Sequence, residues 1–456
     1  VIFDALGRVS KQGQPVFQEG YNTDFFSGIS LKNPTINQYD IMDRTVKVTL
    51  PDNSEIRTVY SIDGGLFKTA VTDPNGKAKH SYQDVDGNTV RTEQFNTGKT
   101  ITTLYEYDML DQIIKITDDR NNITRMAYDL LGQRLSIDSP DAGLVQYTYD
   151  LAGNLIKKVD ANLRAKGQSI NYIYEFNRLK KIDYPVSADV EYFYGAPGAG
   201  DNGAGRIVKV TDESGTVQYA YGKLGEEVKT TRDMKFMAPG HTPWKFMTQT
   251  DYDYLGRVQR IRYPDGEQLD YVYDRGGQIK SVSGKKQSDT YEYVKQIGYD
   301  EFGQRVYIKY GNNVETRYTY DPYRRWLANI NTRNSFNTTF QNLKYGFDKV
   351  GNVLSIENNA KHVTQSFQYD DLYQLVKAHG FSDDQTKRNE YLQTFTYDSI
   401  GNITKKTSYN HLTPGVEKPN HLNYDFNYSY QGSRPHAPNR IGNWVYTYDA
   451  NGNVIK

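Results

Sequence analysis

YTYDLAGNLIKKVD, residues 147–160, decides the fold, because close copies of it return along the chain: MAYDLLGQRLSID at 126–138, FTYDSIGNITKKT at 395–407 and YTYDANGNVIK at 446–456. In the copy at 147, Asp150 stands three residues before Gly153. Asp favours the first position of a type I turn, and Gly takes the following left-handed conformation without steric cost; together they close a three- to four-residue hairpin loop. Strand formers alternate on both sides. Tyr147 and Tyr149 share one face before the turn, and Leu155 and Val159 share one face after it. The phrase is a β-hairpin.

The hairpin residues recur as Tyr107 and Asp108; Tyr128, Asp129 and Gly132; Tyr149, Asp150 and Gly153; Tyr252, Asp253 and Gly256; Tyr273, Asp274 and Gly277; Tyr299, Asp300 and Gly303; Asp348 and Gly351; Tyr397, Asp398 and Gly401; and Tyr448, Asp449 and Gly452. Asp108, Asp129 and Asp150 are spaced by 21 residues, and Asp370 and Asp398 by 28, so one loop of the unit varies in length. Degenerate copies at Tyr39, Tyr60, Tyr82, Tyr174, Tyr221 and Tyr424 fill the gaps, and the repeats are most degenerate over 1–60. Roughly eighteen hairpin units run from end to end, which reads as one repeat region over 1–456 rather than separate domains. Further turn signals, TDDRNN (117–122), YPDG (263–266) and TDESG (211–215), separate the hairpins, so the chain is a meander of antiparallel strands. The one weak helix candidate is DDLYQLVKAHG (370–380). Asp43 and Asp111 replace Gly at the turn, which Asp tolerates; Arg324 and Tyr373 at that position predict a different turn type.

With 55 basic and 55 acidic side chains among 456 residues, the chain has no net field to gather nucleic acid. No apolar run approaches the length of a membrane span. There is no cysteine, hence no disulfide or Cys-ligated metal, which leaves the compartment open. The first residues, VIFDALGRV, and the last both fall within copies of the phrase, so the chain reads as an internal piece of a longer polypeptide.

Strands about 4.8 Å apart would make eighteen such units a sheet on the order of 170 Å across. Open twisted sheets rarely exceed about ten strands. The sheet is therefore expected to wind on itself, either around a wide hollow of roughly 55 Å outer diameter or as a narrow, filled solenoid. A mean hydropathy of −0.76 argues against one massive apolar core, and spacing does not choose further.

The phrase Tyr-Asp-x-x-Gly-Asn/Arg-aliphatic, in YDLAGNL, YDYLGRV, FDKVGNV, YDSIGNI and YDANGNV, resembles the YD repeat of Rhs proteins, of the B and C components of insecticidal toxin complexes, and of teneurins. YGNNVETRYTYDPYRRWL (310–327) is similar to the B components, and RPHAPNRIGNWVYTYDANGNV (434–454) to the approach to the Rhs core-associated region. The resemblance implies an all-β fold: hairpin repeats wound as a spiral sheet into a hollow shell, a barrel or cocoon. It further implies a secreted bacterial protein, without cofactor, that encloses a C-terminal toxic domain of the same polypeptide, outside residues 1–456, and that works with a secretion or injection apparatus. Bacterial relatives release that domain with an aspartyl autoprotease, and no such motif occurs before Lys456. A surface adhesion or glycan-binding module, as in teneurins, is the alternative.

Candidates for chemistry have structural readings. GAGDNG (198–203) matches a dinucleotide pattern, but the strand-like RIVKVTD follows it in place of a helix, so it reads as a loop. GKT (98–100) is preceded by Glu93 where a phosphate loop needs Gly. DVDGN (84–88) lacks a calcium ligand ladder and sits at the repeat's turn. His80, His241, His362, His379, His411, His421 and His436 include no pair at metal-site spacing and read mostly as loop residues. Repeated Asp arises from the hairpin and so is no sign of a glycosidase dyad. Repeated Tyr reads first as a packing ladder whose hydroxyls find water or a turn carbonyl.

Overall fold

The computed structural model describes residues 1–17, 30–235, 244–382, 389–411 and 422–456. These form 37 strands and one short helix. Each strand pairs antiparallel with its neighbours in sequence, from Ile2–Phe3 against Val9–Gln12 to Arg440–Ile441 against Trp444–Val445. The opening phrase forms the hairpin of Gly143–Tyr149 and Leu155–Val159. Asp150 N–H donates to Asn154 O (3.0 Å) and Gly153 N–H to Asp150 O (3.1 Å), while Gly153 takes φ +86°. This is a type I turn closed by a left-handed residue, with the register slipping between Thr148 and Tyr149.

The expectation of a sheet closed into a barrel or cocoon is corrected. Closure requires the terminal strands to pair, and Ile2–Phe3 and Trp444–Val445 each have a single strand partner among the described residues. The sheet is open. A hairpin repeat bonds only to its neighbours, so nothing in the repeated phrase specifies how the ends meet. The filled solenoid fails on area: a compact protein of 52.3 kDa exposes about 17,500 Å², and this chain exposes 28827 Å². Among the described residues the buried apolar side chains are Tyr82, Ile308 and Ala378. The sheet is one layer thick and is held by ladders and cross-strand pairs.

Residues 370–380, the weak helix candidate, form a turn and the start of the strand Leu375–Ser382. Leu375, Lys377 and His379 alternate with their neighbours across the pleat, and pairing on both edges overrides helical spacing. The helix is Ala161–Ala165, capped by Asp160, whose Oδ1 accepts from Leu163 N–H (2.9 Å). Asp43 and Asp111 take φ +61° and +60°, as the turn demands. The Arg324 hairpin does differ: one extra residue enters, Arg325 takes φ +60° and Asp321 N–H reaches Trp326 O (2.8 Å). The Tyr373 hairpin does not. Tyr373 takes φ +64° in the ordinary turn, Asp370 N–H reaching Gln374 O at 3.0 Å.

Candidate interface of hairpin turns

Apart from Asp321, the repeat Asp residues close their loops with the same bond. The N–H of Asp108, Asp129, Asp150, Asp253, Asp274, Asp300, Asp348, Asp398 and Asp449 donates to the carbonyl four residues on, at 2.8–3.0 Å. Gly132, Gly153, Gly256, Gly277, Gly303, Gly351, Gly401 and Gly452 all take positive φ. The carboxylate does further work inside the turn. Asp150 Oδ1 accepts from Ala152 and Asn154 N–H and Oδ2 from the Asn154 amide, all at 2.9 Å. Arg257 serves Asp253 as Asn154 serves Asp150 (2.7 Å). The Asn or Arg after the Gly is thus a turn clamp, a role visible in its recurrence.

The repeat tyrosine ties most of these hairpins to the previous one. Tyr149 hydroxyl donates to Arg134 O (3.1 Å), just beyond the point where the ladder of Arg134–Ser139 with Gly143–Tyr149 stops at Ser136 opposite Gln146. The hydroxyl thus extends the link between the two strands beyond the end of their ladder. Tyr107, Tyr252, Tyr273, Tyr299, Tyr397 and Tyr448 make the equivalent bond at 2.7–3.1 Å. Tyr128 makes none. Tyr149→Phe is expected to cost about 1 kcal/mol and Tyr128→Phe close to nothing, read from denaturation midpoints; equal losses would refute the role of the bond.

The turns also meet across the molecule. Residues 269 to 309 apart in sequence touch along a seam, where turns between hairpins of an early run face the Tyr-Asp turns of a late run. The Asn75 amide donates to Asp348 Oδ2 (2.9 Å), Asn96 to Asp370 Oδ2 (2.8 Å), Arg120 to Asp398 Oδ2 (2.8 Å) and Asn162 to Asp449 Oδ2 (2.8 Å). Lys349 N–H answers on Asn75 Oδ1 (3.2 Å) and Ala450 N–H on Asn162 Oδ1 (2.9 Å). Lys77 pairs with Asp371 and Tyr373 hydroxyl with Asp73. Burial and the Asp73 carboxylate raise the Tyr373 pKa, so it stays a donor. The Arg120–Asp398 pair is half-exposed at the arginine and contributes at most about 1 kcal/mol. A cleft of about 440 Å³ at the seam is lined by Leu372 and Ile400 of the late run and by Ile101 and Ile116 of the early one, together with polar side chains.

The Asn453 and Asn162 amides hold the Asp449 carboxyl down at about 2, from 3.8. A depressed folded pKa stabilises above the unfolded value and loses that effect as pH falls through the folded one. The Asn162–Asp449 contact is expected to persist at pH 4.5 and to open between about 3.8 and about 2. Hydrogen-exchange protection of 447–453 against pH checks this, and opening already at pH 5 would contradict it.

GAGDNG lies in a loop followed by the strand Ile207–Asp212. Asp84 and Asn88 close the DVDGN turn (3.0 Å). His80 and His379 lie on strands rather than loops, beside Glu93 (3.3 Å) and Glu390 (2.8 Å), and His436 Nδ1 lies 2.7 Å from Asp141 Oδ2 in the seam. His362 is in a turn and His411 at a strand end. His241 and His421 lie outside the described residues. No group of three His, Asp or Glu side chains able to hold a metal occurs among the described residues, and no helix is long and apolar enough to cross a membrane.

No family model matches the chain. Toxin subunit YenC2 of Yersinia entomophaga is 29% identical over 192 residues, covering 34% of this chain and 19% of that protein; toxin subunit YenC1 of the same organism is 29% identical over 189 residues, covering 34% and 18%. The crystal structure of TcdB2-TccC3 matches 92% of this chain and 24% of that chain, with TM-score 0.80 and 21% identity. A Photorhabdus luminescens Tc holotoxin pore matches equally, with TM-score 0.80, 21% identity, and 92% and 23% covered. The chain thus spans about a fifth of these relatives and a quarter of these solved chains. The resemblance to toxin-complex components, read from the repeats, is borne out.

Proposed function

We propose that this chain is a non-enzymatic wall segment of a Tc-type toxin complex, helping to enclose a toxic domain and deliver it to a target cell. The observation that carries the reading is the match of 92% of the chain to TcdB2-TccC3. The chemistry of the repeats supports it. Carboxylates that would have to converge for catalysis are instead spent one per turn on backbone N–H groups. The open sheet is one part of a larger wall, and the remainder of a polypeptide several times longer completes the enclosure.

In this reading residues 1–456 form one repeat region, approaching a core-associated region over 434–456, and the repeat Tyr, Asp and Gly are structural. The cargo is a C-terminal toxic domain of the same polypeptide; the protein is secreted by a bacterium and engages an injection or secretion component. Limited proteolysis of the longest natural polypeptide containing this chain tests it. A downstream domain that resists protease until the sheet is unfolded is expected, and one cleaved as fast in the intact protein as in isolation would end the proposal.

A further inference from the structure

Several arginines of this chain are held by one recurring pair, a tyrosine ring beneath the guanidinium and a carboxylate at its N–H edge. Arg8 lies 4.6 Å from the ring centroid of Tyr39 and donates to Asp4 (2.8 Å). Arg44 lies over Tyr60 (4.2 Å) and donates to Asp40 (2.8 Å), and Arg257 lies over Tyr273 (4.3 Å) and donates to Asp253 (2.7 Å). A planar cation uses both partners at once, its face on the ring and its edge on the carboxylate, which a compact ammonium does less well.

One place presents the same pair without the cation. The turn Tyr263–Glu267 closes as the repeat turns do, Tyr263 N–H donating to Glu267 O (2.7 Å) and Gly266 N–H to Tyr263 O (3.0 Å). Its chemistry is reversed: Tyr263 stands where the repeat has Asp, and Glu267 where it has Asn or Arg. The strand Trp244–Tyr252 runs on past the end of Val258–Arg262, Gln249 pairing with Arg262 and Trp244 with Met234, so the turn sits in a notch. Phe246, Tyr263, Asp265, Glu267 and Tyr293 line a cavity of about 710 Å³ there, the size of a small-ligand site. Gly284 lets the Tyr293 ring lie on the sheet, since a Cβ there would collide with it, and the Tyr293 hydroxyl donates to Glu267 Oε1. Lys286 is taken by Asp265 (2.6 Å), and Lys245 on the cavity wall makes no ion pair. Among the described residues no cation pairs with Glu267, no donor reaches its Oε2, and no Lys or Arg lies over the Phe246, Tyr263 or Tyr293 rings.

We infer that this notch is a recognition site for a guanidinium group, an arginine side chain presented by a partner polypeptide. The rings of Tyr263 and Tyr293, exposed by 38% and 44%, receive its face, and Glu267 Oε2 accepts from its N–H edge. Charge selects the occupant. With Asp265 neutralised by Lys286, one half-buried carboxylate is left among aromatic rings, a setting that favours a weakly hydrated cation over a neutral or anionic ligand. The inference rests on the notch alone and stands or falls separately from the toxin reading.

Saturation-transfer NMR on the longest natural polypeptide containing this chain tests it, with acetyl-glycyl-arginyl-glycinamide as the probe. Its citrulline counterpart keeps the shape and loses the charge. The arginine peptide is expected to bind at least fivefold more tightly than the citrulline peptide, and Glu267→Gln, which keeps an acceptor for the Tyr293 hydroxyl, to remove that difference. Tyr263→Leu is expected to weaken arginine binding at least threefold by removing the ring. Glu213→Gln, at an exposed turn elsewhere, controls for general charge and is expected to change nothing. Equal affinities for the two peptides, no binding of either, or an arginine affinity that Glu267→Gln leaves unchanged or that Glu213→Gln lowers as much would overturn the proposal. A lysine peptide bound as tightly as the arginine one would refute the assignment to a guanidinium.

Discussion

Asp348→Ala is expected to cost about 3 kcal/mol, because its carboxylate holds two structures together at once. Within its own turn Oδ1 accepts from Val350 (3.0 Å), Gly351 (2.9 Å) and Asn352 (2.9 Å) N–H, and Oδ2 from the Asn352 amide (2.8 Å). Across the seam Oδ2 accepts from Asn75 (2.9 Å). Burial raises the Asp348 pKa, but the Asn352 and Asn75 amides and the turn N–H groups outweigh it and keep the carboxyl below its ordinary value. Alanine leaves all five donors to find water in a half-closed place. Asp129→Ala removes the bonds from Leu131 and Gln133 N–H (both 2.9 Å) on the uncovered rim and is expected to cost about 1 to 1.5 kcal/mol. Stability in a repeat is a sum of local terms, so hydrogen exchange read hairpin by hairpin is the measurement. Asp348→Ala should also loosen 73–77, some 270 residues away; protection unchanged there would show that the seam contact carries no energy.

The second large effect is expected at Gly452. Its φ of +86° alone makes alanine cost about 1 to 2 kcal/mol, the ordinary price of the left-handed region. A Cβ at this position would also lie 2.6 Å from the Asp141 carbonyl oxygen, a backbone atom of the other run, and 3.4 Å from Arg434 Nε, which itself donates to that carbonyl (2.8 Å). Backbone cannot step aside as a flexible side chain can, so Gly452→Ala is expected to cost about 3 kcal/mol in total and to release 139–143 and 434–436 together. Gly256→Ala is the control, with φ +76° and nothing within 4 Å of the added carbon. It should show the conformational cost and nothing more. Equal exchange profiles for the two variants would mean that Asp141 and Gly452 are not in contact in solution.

These paired expectations separate two levels of information. Asp, Gly and flanking Tyr in one phrase state the hairpin outright, since type I turn, left-handed residue and alternating strand are all settled within about ten residues by backbone sterics and local hydrogen bonds. Asp150 and Gly153 needed no neighbour to be read. The clamp made by Asn154 came from the structure, although the residue after the Gly recurs as Asn, Arg or Gln. The turn at Tyr373 was misread because a strained left-handed residue is penalised locally, whereas here the Tyr373 hydroxyl bonds to Asp73 and Asn75 of the other run and offsets the strain. Residues 370–380 were misread as a possible helix because pairing on both edges of Leu375–Ser382, the second through Glu390–Tyr397, outweighs local spacing.

What the amino-acid sequence determined by itself was therefore the unit, its repetition and the antiparallel meander. What only the tertiary structure decided was that the sheet stays open at its ends, and which turns are covered. Asp129 and Asp348 sit in the same phrase, yet one faces solvent and the other accepts Asn75. The physical reason is range: a turn is specified by contacts three or four residues apart, whereas the seam depends on the summed twist of some twenty strands, to which every hairpin contributes a little and no single residue enough to read.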